Sequence, residues 1–148
     1  MLSIDTNILF YASYESSPFY AAARDWLQSI SSSDDVIISE FALTELYGLF
    51  RNRASTAKPL TAGNAVHAIN YYRTHPRWRL VGFTADSRKL HDKLWSLSAT
   101  ENFPYRKIYD ARLALTLQHH GVTRFATVNE KDFAGLGFAR VWNPLVLR

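Results

Sequence analysis

Five oxygen-bearing side chains stand where a purely structural chain has no need of them: Asp5, Glu45, Asp110, Asn129 and Asp132. In "MLSIDTNILFYA", Asp5 breaks an otherwise apolar run at the point where a buried strand would end. Capping a following helix would by itself account for an Asp, Thr or Asn there. Glu45 lies in "SEFALTELYGLF", where helical spacing sets it beside Phe41, Ala42, Gly48 and Leu49. That face is apolar, and an unpaired carboxylate buried on it would demand a partner or a purpose. Asp110 opens "DARLALTLQHHG" and also has an N-cap reading; Asn129 and Asp132 follow an apolar run in "TVNEKDF". If these groups converge, two like charges about 4 Å apart repel by roughly 4 kcal/mol at an effective dielectric near 20. Such a cluster persists only when protonated or bridged by a cation. Oxygen ligands without cysteine or spaced histidines favour Mg²⁺ or Mn²⁺ over Zn²⁺.

The elements that must position these groups are legible in outline. Short apolar runs at Met1–Ile4, Val36–Ile38, Leu80–Phe83, Phe125–Val128 and Ala139–Trp142 predict strands. Between them, Pro18–Ile30, Glu40–Arg51, Thr61–Arg73, Ser87–Ser98 and Asp110–His120 read as helices, the last closed by Gly121 as a C-cap. The alternation predicts an α/β domain with a mostly parallel sheet. In such sheets the ligand crevice lies beyond the carboxyl ends of the strands. On this reading three strand ends and one helix supply the oxygen ligands. The segment "ATENFPYRKIY" has no assignable structure.

Composition bounds the rest. The 148 residues suit a single domain, 1–148, with a real core. Hydrophobic residues make up 47% and charged ones 20%, which excludes a disordered chain. No cysteine is present, so disulfides and thiolate metal sites are excluded. The start lacks a basic n-region, and no stretch approaches a membrane span, so a cytoplasmic protein without membrane association is expected. A net charge of +4 favours a polyanion or an acidic partner.

The segments "DTNILFYA", "ISEFALTELYGLFRN", "YDARLALTLQHHG" and "TVNEKDF", in this order across the chain and followed by "VWNPL", resemble the PIN-domain ribonucleases. More narrowly they are similar to the VapC toxins of bacterial toxin–antitoxin pairs. The resemblance implies a PIN-like three-layer α/β/α domain with a central parallel sheet of about five strands. It also implies a metal-dependent endoribonuclease using Mg²⁺ (or Mn²⁺), an RNA substrate cut to leave a 5′ phosphate, a cognate antitoxin and a homodimer. Asp5, Glu45 and Asp110 take the places of three family acids. Where many relatives carry a fourth Asp this chain has Asn129, so Asp132, three residues on, is taken as the fourth carboxylate and Asn129 as a neutral ligand or orienting group. Thr6, Asn7 and Thr127 are candidates to orient the carboxylates, or simply cap their own turns.

Other readings of the acids point to different chemistry. A receiver-like phosphoacceptor expects adjacent acids after the first strand, whereas "IDTN" supplies one; an aspartyl phosphatase wants an acid where Asn7 stands. A non-catalytic binding module would not need Asp5, Glu45 and Asp110 intact. Two stretches, Tyr71–Arg79 and Phe103–Lys107, mix basic and aromatic residues and read first as packing aromatics with solvated charges, second as RNA contacts. His67, His75, His91, His119 and His120 show no metal-ligand spacing.

Overall fold

The structure is a computed structural model that describes residues 1–146. Strands β1 (Leu2–Ile4), β2 (Val36–Ser39), β3 (Arg79–Val81), β4 (Arg124–Ala126) and β5 (Arg140–Trp142) form one parallel sheet in the order β3-β2-β1-β4-β5. The helices are α1 (Thr6–Tyr11), α2 (Tyr20–Ile30), α3 (Glu40–Arg51), α4 (Ala62–Arg73), α5 (Ser87–Ser98), α6 (Lys107–His119) and α7 (Glu130–Phe133).

The strands are apolar on both faces because both faces are covered. Leu2, Ile4, Val36 and Ile38 pack with Leu43, Leu46 and Phe50 of α3 and with residues of α1, α2 and α4. Ile37, Val81 and Phe125 point the other way, against Leu113 and Leu117 of α6 and Phe133 of α7. This is the three-layer α/β/α arrangement, with α5 packed on α6.

Chain order makes β1 the pivot. From β1 the chain runs outward through β2 to β3, then crosses back to β4 on the opposite side of β1. The strand order therefore reverses between β1 and β4, the place where an open α/β sheet leaves a crevice. In register, Leu2, Ser3 and Ile4 lie beside Arg124, Phe125 and Ala126, and the Asp5 N–H donates to the Ala126 carbonyl at 2.9 Å. The chain segments that leave β1 and β4 are thus held side by side.

Helix termini follow local chemistry. Ser39 ends β2 and caps α3, its hydroxyl accepting from the Phe41 N–H, and Thr61 caps α4 through the Asn64 N–H. At the end of α6, Gly121 has φ +86°, its N–H donating to Gln118 O and the Val122 N–H to Leu117 O. That pair of bonds is a Schellman closure, which needs the left-handed conformation glycine adopts without strain.

Three helices depart from the sequence reading. The six-residue α1 and the four-residue α7 are too short to show helical periodicity, and the apolar Ile8, Leu9 and Phe10 look the same in either regular structure. Helix α6 begins at Lys107, three residues before Asp110, so Asp110 is a first-turn residue and not an N-cap. The unassigned "ATENFPYRKIY" holds a turn and the start of α6. Among the described residues no helix is long and apolar enough to cross a membrane.

Candidate active site

Asp5 is where the topology and the chemistry meet. Directly after the central strand, it is buried and in an extended conformation that starts α1. Its Oδ1 accepts from the Thr6 N–H at 2.8 Å, so the capping role is real. Its Oδ2 is held separately, by the Thr127 hydroxyl at 2.6 Å and the Asn7 side-chain amide at 2.7 Å. Thr127, just past β4, in turn accepts from the Asn129 N–H at 2.9 Å. One carboxylate thereby caps a helix, ties β1 to the segment after β4 and faces a cavity.

That cavity, about 520 Å³, is lined by Asp5, Glu45, Asp110 and Asp132, with Asn7 and Asn129 beside them. All five candidate oxygen ligands share it. Their origins differ from the expectation: Asp5 and the Asn129–Asp132 pair follow strands, whereas Glu45 comes from the middle of α3 and Asp110 from the first turn of α6. Only two strand ends contribute, not three. Glu45 is also not buried in an apolar face: it is exposed to the cavity, and the Thr6 hydroxyl lies 3.2 Å from its Oε2. Of its apolar neighbours Leu49 lines the cavity with it, whereas Ala42 is buried in the core. Glu40, on another side of α3, pairs with Arg73 at 2.8 Å as a surface acid.

The electrostatics of the cavity are unbalanced. Burial, and then the Glu45 and Asp110 charges, push the Asp5 carboxyl from 3.8 up to about 7, against hydrogen bonds from Thr127 and the Thr6 N–H that pull it down. Burial and then the charges of Asp132 and Glu45 raise Asp110 to about 6, with Lys107 opposing. No Lys, Arg or His is among the residues lining the cavity. Among the described residues no group of three or more His, Cys, Asp or Glu side chains stands close enough to hold a metal ion as placed; the acids line one cavity and act on one another across it. A donor set of carboxylate and amide oxygens, mutually repelling and without a cation, fits a hard divalent ion such as Mg²⁺ or Mn²⁺.

Residues 2–139 match the PIN domain family. The chain belongs to the PIN domain family. Within it the chain is VapC-like: it is 41% identical over 145 residues to Ribonuclease VapC24 of Mycobacterium tuberculosis (strain CDC 1551 / Oshkosh), an alignment that covers 98% of this chain and 97% of that protein. Two crystal structures share the fold. Mycobacterium tuberculosis VapC20, described as a Sarcin-Ricin loop cleaving toxin, superposes with a TM-score of 0.67 at 20% identity, covering 93% of this chain and 96% of that one. FitAcB from Neisseria gonorrhoeae gives 0.67 at 21% identity, over 99% and 100%.

For this PIN domain, Thr127 is one of three residues, with Thr6 and Asn7, whose role the sequence left open between capping and orienting. The structure gives it both contacts: its hydroxyl donates to Asp5 and receives the Asn129 N–H. Thr127→Val keeps the shape and removes the hydroxyl, taking from the buried Asp5 Oδ2 one of its two donors and leaving the Asn129 N–H without its acceptor. The expected cost is about 1–3 kcal/mol in stability, together with a further rise in the Asp5 pKa, read by carbon NMR of its carboxyl through a pH titration. Thr127→Ser, which keeps the donor, is expected to move the titration little; equal shifts in both variants would remove Thr127 from this role.

The two basic-aromatic stretches divide. In Tyr71–Arg79, Tyr72 and Trp78 are core residues, and Arg73 and Arg77 pair with Glu40 and Asp34. In Phe103–Lys107, Tyr105 is exposed with Arg106 folded over its ring, on a second hollow that shares Glu45, Asp110 and Leu113 with the cavity. What the sequence reading missed is the aromatic part of the cavity lining, Phe10, Tyr11, Tyr14 and Phe19. Phe10 and Tyr11 follow Asn7 by about one turn of α1, whereas Tyr14 and Phe19 lie beyond that helix, where no periodicity marks them.

Proposed function

We infer that this chain is a metal-dependent endoribonuclease, the toxin of a VapBC-type toxin–antitoxin pair, acting as one unit over residues 1–148. The observation that carries the reading is the presence of four carboxylates in one cavity at the sheet's switch point, with no cation lining it. The VapC-like sequence supports RNA as the substrate. Likeness to structures of toxin–antitoxin complexes, including VapBC2 from Rickettsia felis with a TM-score of 0.63, supports an antitoxin partner. A homodimer, an antitoxin tail that enters the acidic cavity, and a cytoplasmic site of action complete the proposal.

In this reading Asp5 and Asp110 hold the principal ion, Mg²⁺ or Mn²⁺. When bound, such an ion neutralises charge on the phosphoryl oxygens and lowers the pKa of a water toward neutrality. Thr127, Asn7 and the Thr6 N–H keep the Asp5 oxygens apart and pointed. Glu45, steadied by the Thr6 hydroxyl, and Asp132 stand at the cavity surface, where either can complete the ligand set or accept the proton of the attacking water. Asn129 offers a neutral oxygen beside them. Positive charge elsewhere on the protein draws the polyanion in and makes binding salt-dependent.

A receiver-like phosphoacceptor is disfavoured by topology as well as by its missing second acid. Receivers carry the strand order 2-1-3-4-5, whereas the order here is β3-β2-β1-β4-β5. The test is incubation of purified protein with structured RNAs and Mg²⁺ or Mn²⁺. Cleavage leaving 5′-phosphate ends, abolished by chelator and restored by the metal, is expected. Cleavage that survives chelation would remove the metal from the mechanism.

A further inference from the structure

We propose that Arg112, in the second hollow that also holds Arg106, is a positioning residue: it grips a phosphodiester next to the one at the acidic cavity and so fixes which linkage of the RNA reaches the acids. The proposal rests on the ribonuclease reading and deepens it.

The second hollow adjoins the acidic cavity, sharing Glu45, Asp110 and Leu113 with it, and at about 740 Å³ it falls within the ~300–1,000 Å³ of sites that hold a small molecule. The two differ in charge. No Lys, Arg or His lines the acidic cavity, whereas Arg106 and Arg112 both line the hollow beside it. Neither cation is spent on a carboxylate of the protein. Arg73, Arg77 and Arg124 each pair with an acid. Among the described residues Arg106 and Arg112 form no ion pair, although Glu45 and Asp110 line the same hollow.

Aromatic rings hold these guanidiniums instead. The Arg112 Cζ lies over the Phe41 ring, 4.9 Å from its centroid, and 6.0 Å from that of Tyr109. Phe41 belongs to α3 and Tyr109 to α6, so two helices steady a half-buried cation. Arg106 lies 5.5 Å from the centroid of the Tyr105 ring, and its Nε donates to the Tyr105 hydroxyl at 2.9 Å. A ring attracts the charge of a guanidinium without accepting all of its N–H donors. What is left is a planar, permanently charged fork, which matches two oxygens of a phosphate.

The polymer needs such a group at this place. Of the phosphates on a bound strand, the one at the metal ion has its charge neutralised by that ion. Its neighbour has no ion and stands within range of the carboxylates, so a cation beside the cavity is what lets it approach. Arg112 and Asp110 stand on the same helix, which fixes the distance between the cation and an acid of the site. A strand gripped at one linkage can present only one other linkage to the acids. A displacement of about 1 Å from the reactive position costs on the order of 10²-fold in rate.

The experiment measures binding of a short fluorescent single-stranded RNA by anisotropy, in Asp5→Asn protein with Mg²⁺ over a series of salt concentrations. It does not depend on cleavage. Each phosphate contact contributes about −0.7 to the slope of log K against log salt on a single strand. Arg112→Ala should therefore flatten the slope by about 0.7, and Arg112→Lys, which keeps the charge, should retain it. Arg88→Ala removes the same charge from α5, which contributes nothing to the hollow, and should leave the slope in place. Neutral methylphosphonate is then substituted at each linkage in turn. At one linkage alone, the substitution and Arg112→Ala together should cost little more than either. In cleavage by the otherwise wild-type protein, Arg112→Ala should lose about 10²-fold and spread the cuts over more than one linkage. An unchanged slope, additive losses at every linkage, or no binding of RNA by the Asp5→Asn protein overturns the proposal. So does dissociation of a dimer by Arg112→Ala without coupling at any linkage, the result if Arg112 serves contact with a second copy. Cleavage by the wild type is scored separately. Cleavage without coupling sinks the Arg112 assignment alone, and coupling without cleavage sinks the ribonuclease reading alone.

Discussion

Asp5→Asn is expected to reduce RNA cleavage by about 10³-fold or more and, in the same molecule, to stabilise the metal-free protein. On the proposed mechanism the first effect follows from removing a carboxylate whose charge would hold the ion that neutralises the reacting phosphate; several kcal/mol of barrier correspond to several powers of ten. The second follows from its burial. The folded-state pKa is raised from 3.8 to about 7, so the unfolded chain releases this proton more readily than the folded one. The stabilising contribution of the protonated form is fully present below about pH 4 and is lost as the pH rises through about 7. Above that the charged Asp5 costs the apo protein of order 4 kcal/mol, whereas Asn ionises at no pH and still serves as an N-cap. The advantage of Asp5→Asn over wild type in urea unfolding with chelator present should therefore grow between pH 4 and 7 and level off above. Adding Mg²⁺ or Mn²⁺ should shrink it, by stabilising the wild type alone. A variant that cut RNA at the wild-type rate, or whose stability advantage ignored pH, would end the account of Asp5 given above.

Phe125→Ala is expected to cost about 3–5 kcal/mol, a large share of the stability of a chain this size. Phe125 is fully buried in the centre of the second face of the sheet, its ring 4.5 Å from that of Phe133 and 5.0 Å from that of Phe138. Truncation leaves a hole between β4, α6 and α7 that these rings cannot close without moving the strand. The site sits on that strand: Thr127, two residues on, grips Asp5, and Phe133 adjoins Asp132. Activity should accordingly fall under conditions where the variant is still folded. Phe125→Leu, which refills most of the volume, should recover most of both. A loss below about 1 kcal/mol in Phe125→Ala would mean that the β4 face is not the packed layer described above.

How much was legible differs from residue to residue. The five strands were readable because apolar, β-branched runs such as Val36–Ile38 have no other home than a sheet covered on both sides. Their alternation with amphipathic helices specified a parallel α/β fold, and the order of four short motifs specified the PIN family. Asp5 and Asp132 announced themselves by interrupting or following apolar runs. The short α1 and α7 did not, because four to six residues carry too little periodicity to separate helix from strand.

The sequence by itself determined which residue types are available for chemistry: oxygen ligands without thiols, in a chain apolar enough to pack. Only the tertiary structure decided that they meet. Residues 5, 45, 110 and 132 are far apart along the chain and are brought to one cavity because the strand order reverses beside β1, a property that no local pattern encodes. The same folding turned Glu45 outward into that cavity and brought aromatic side chains into its lining. Side-chain chemistry is local, but burial and mutual repulsion, which set what that chemistry can do, belong to the assembled fold.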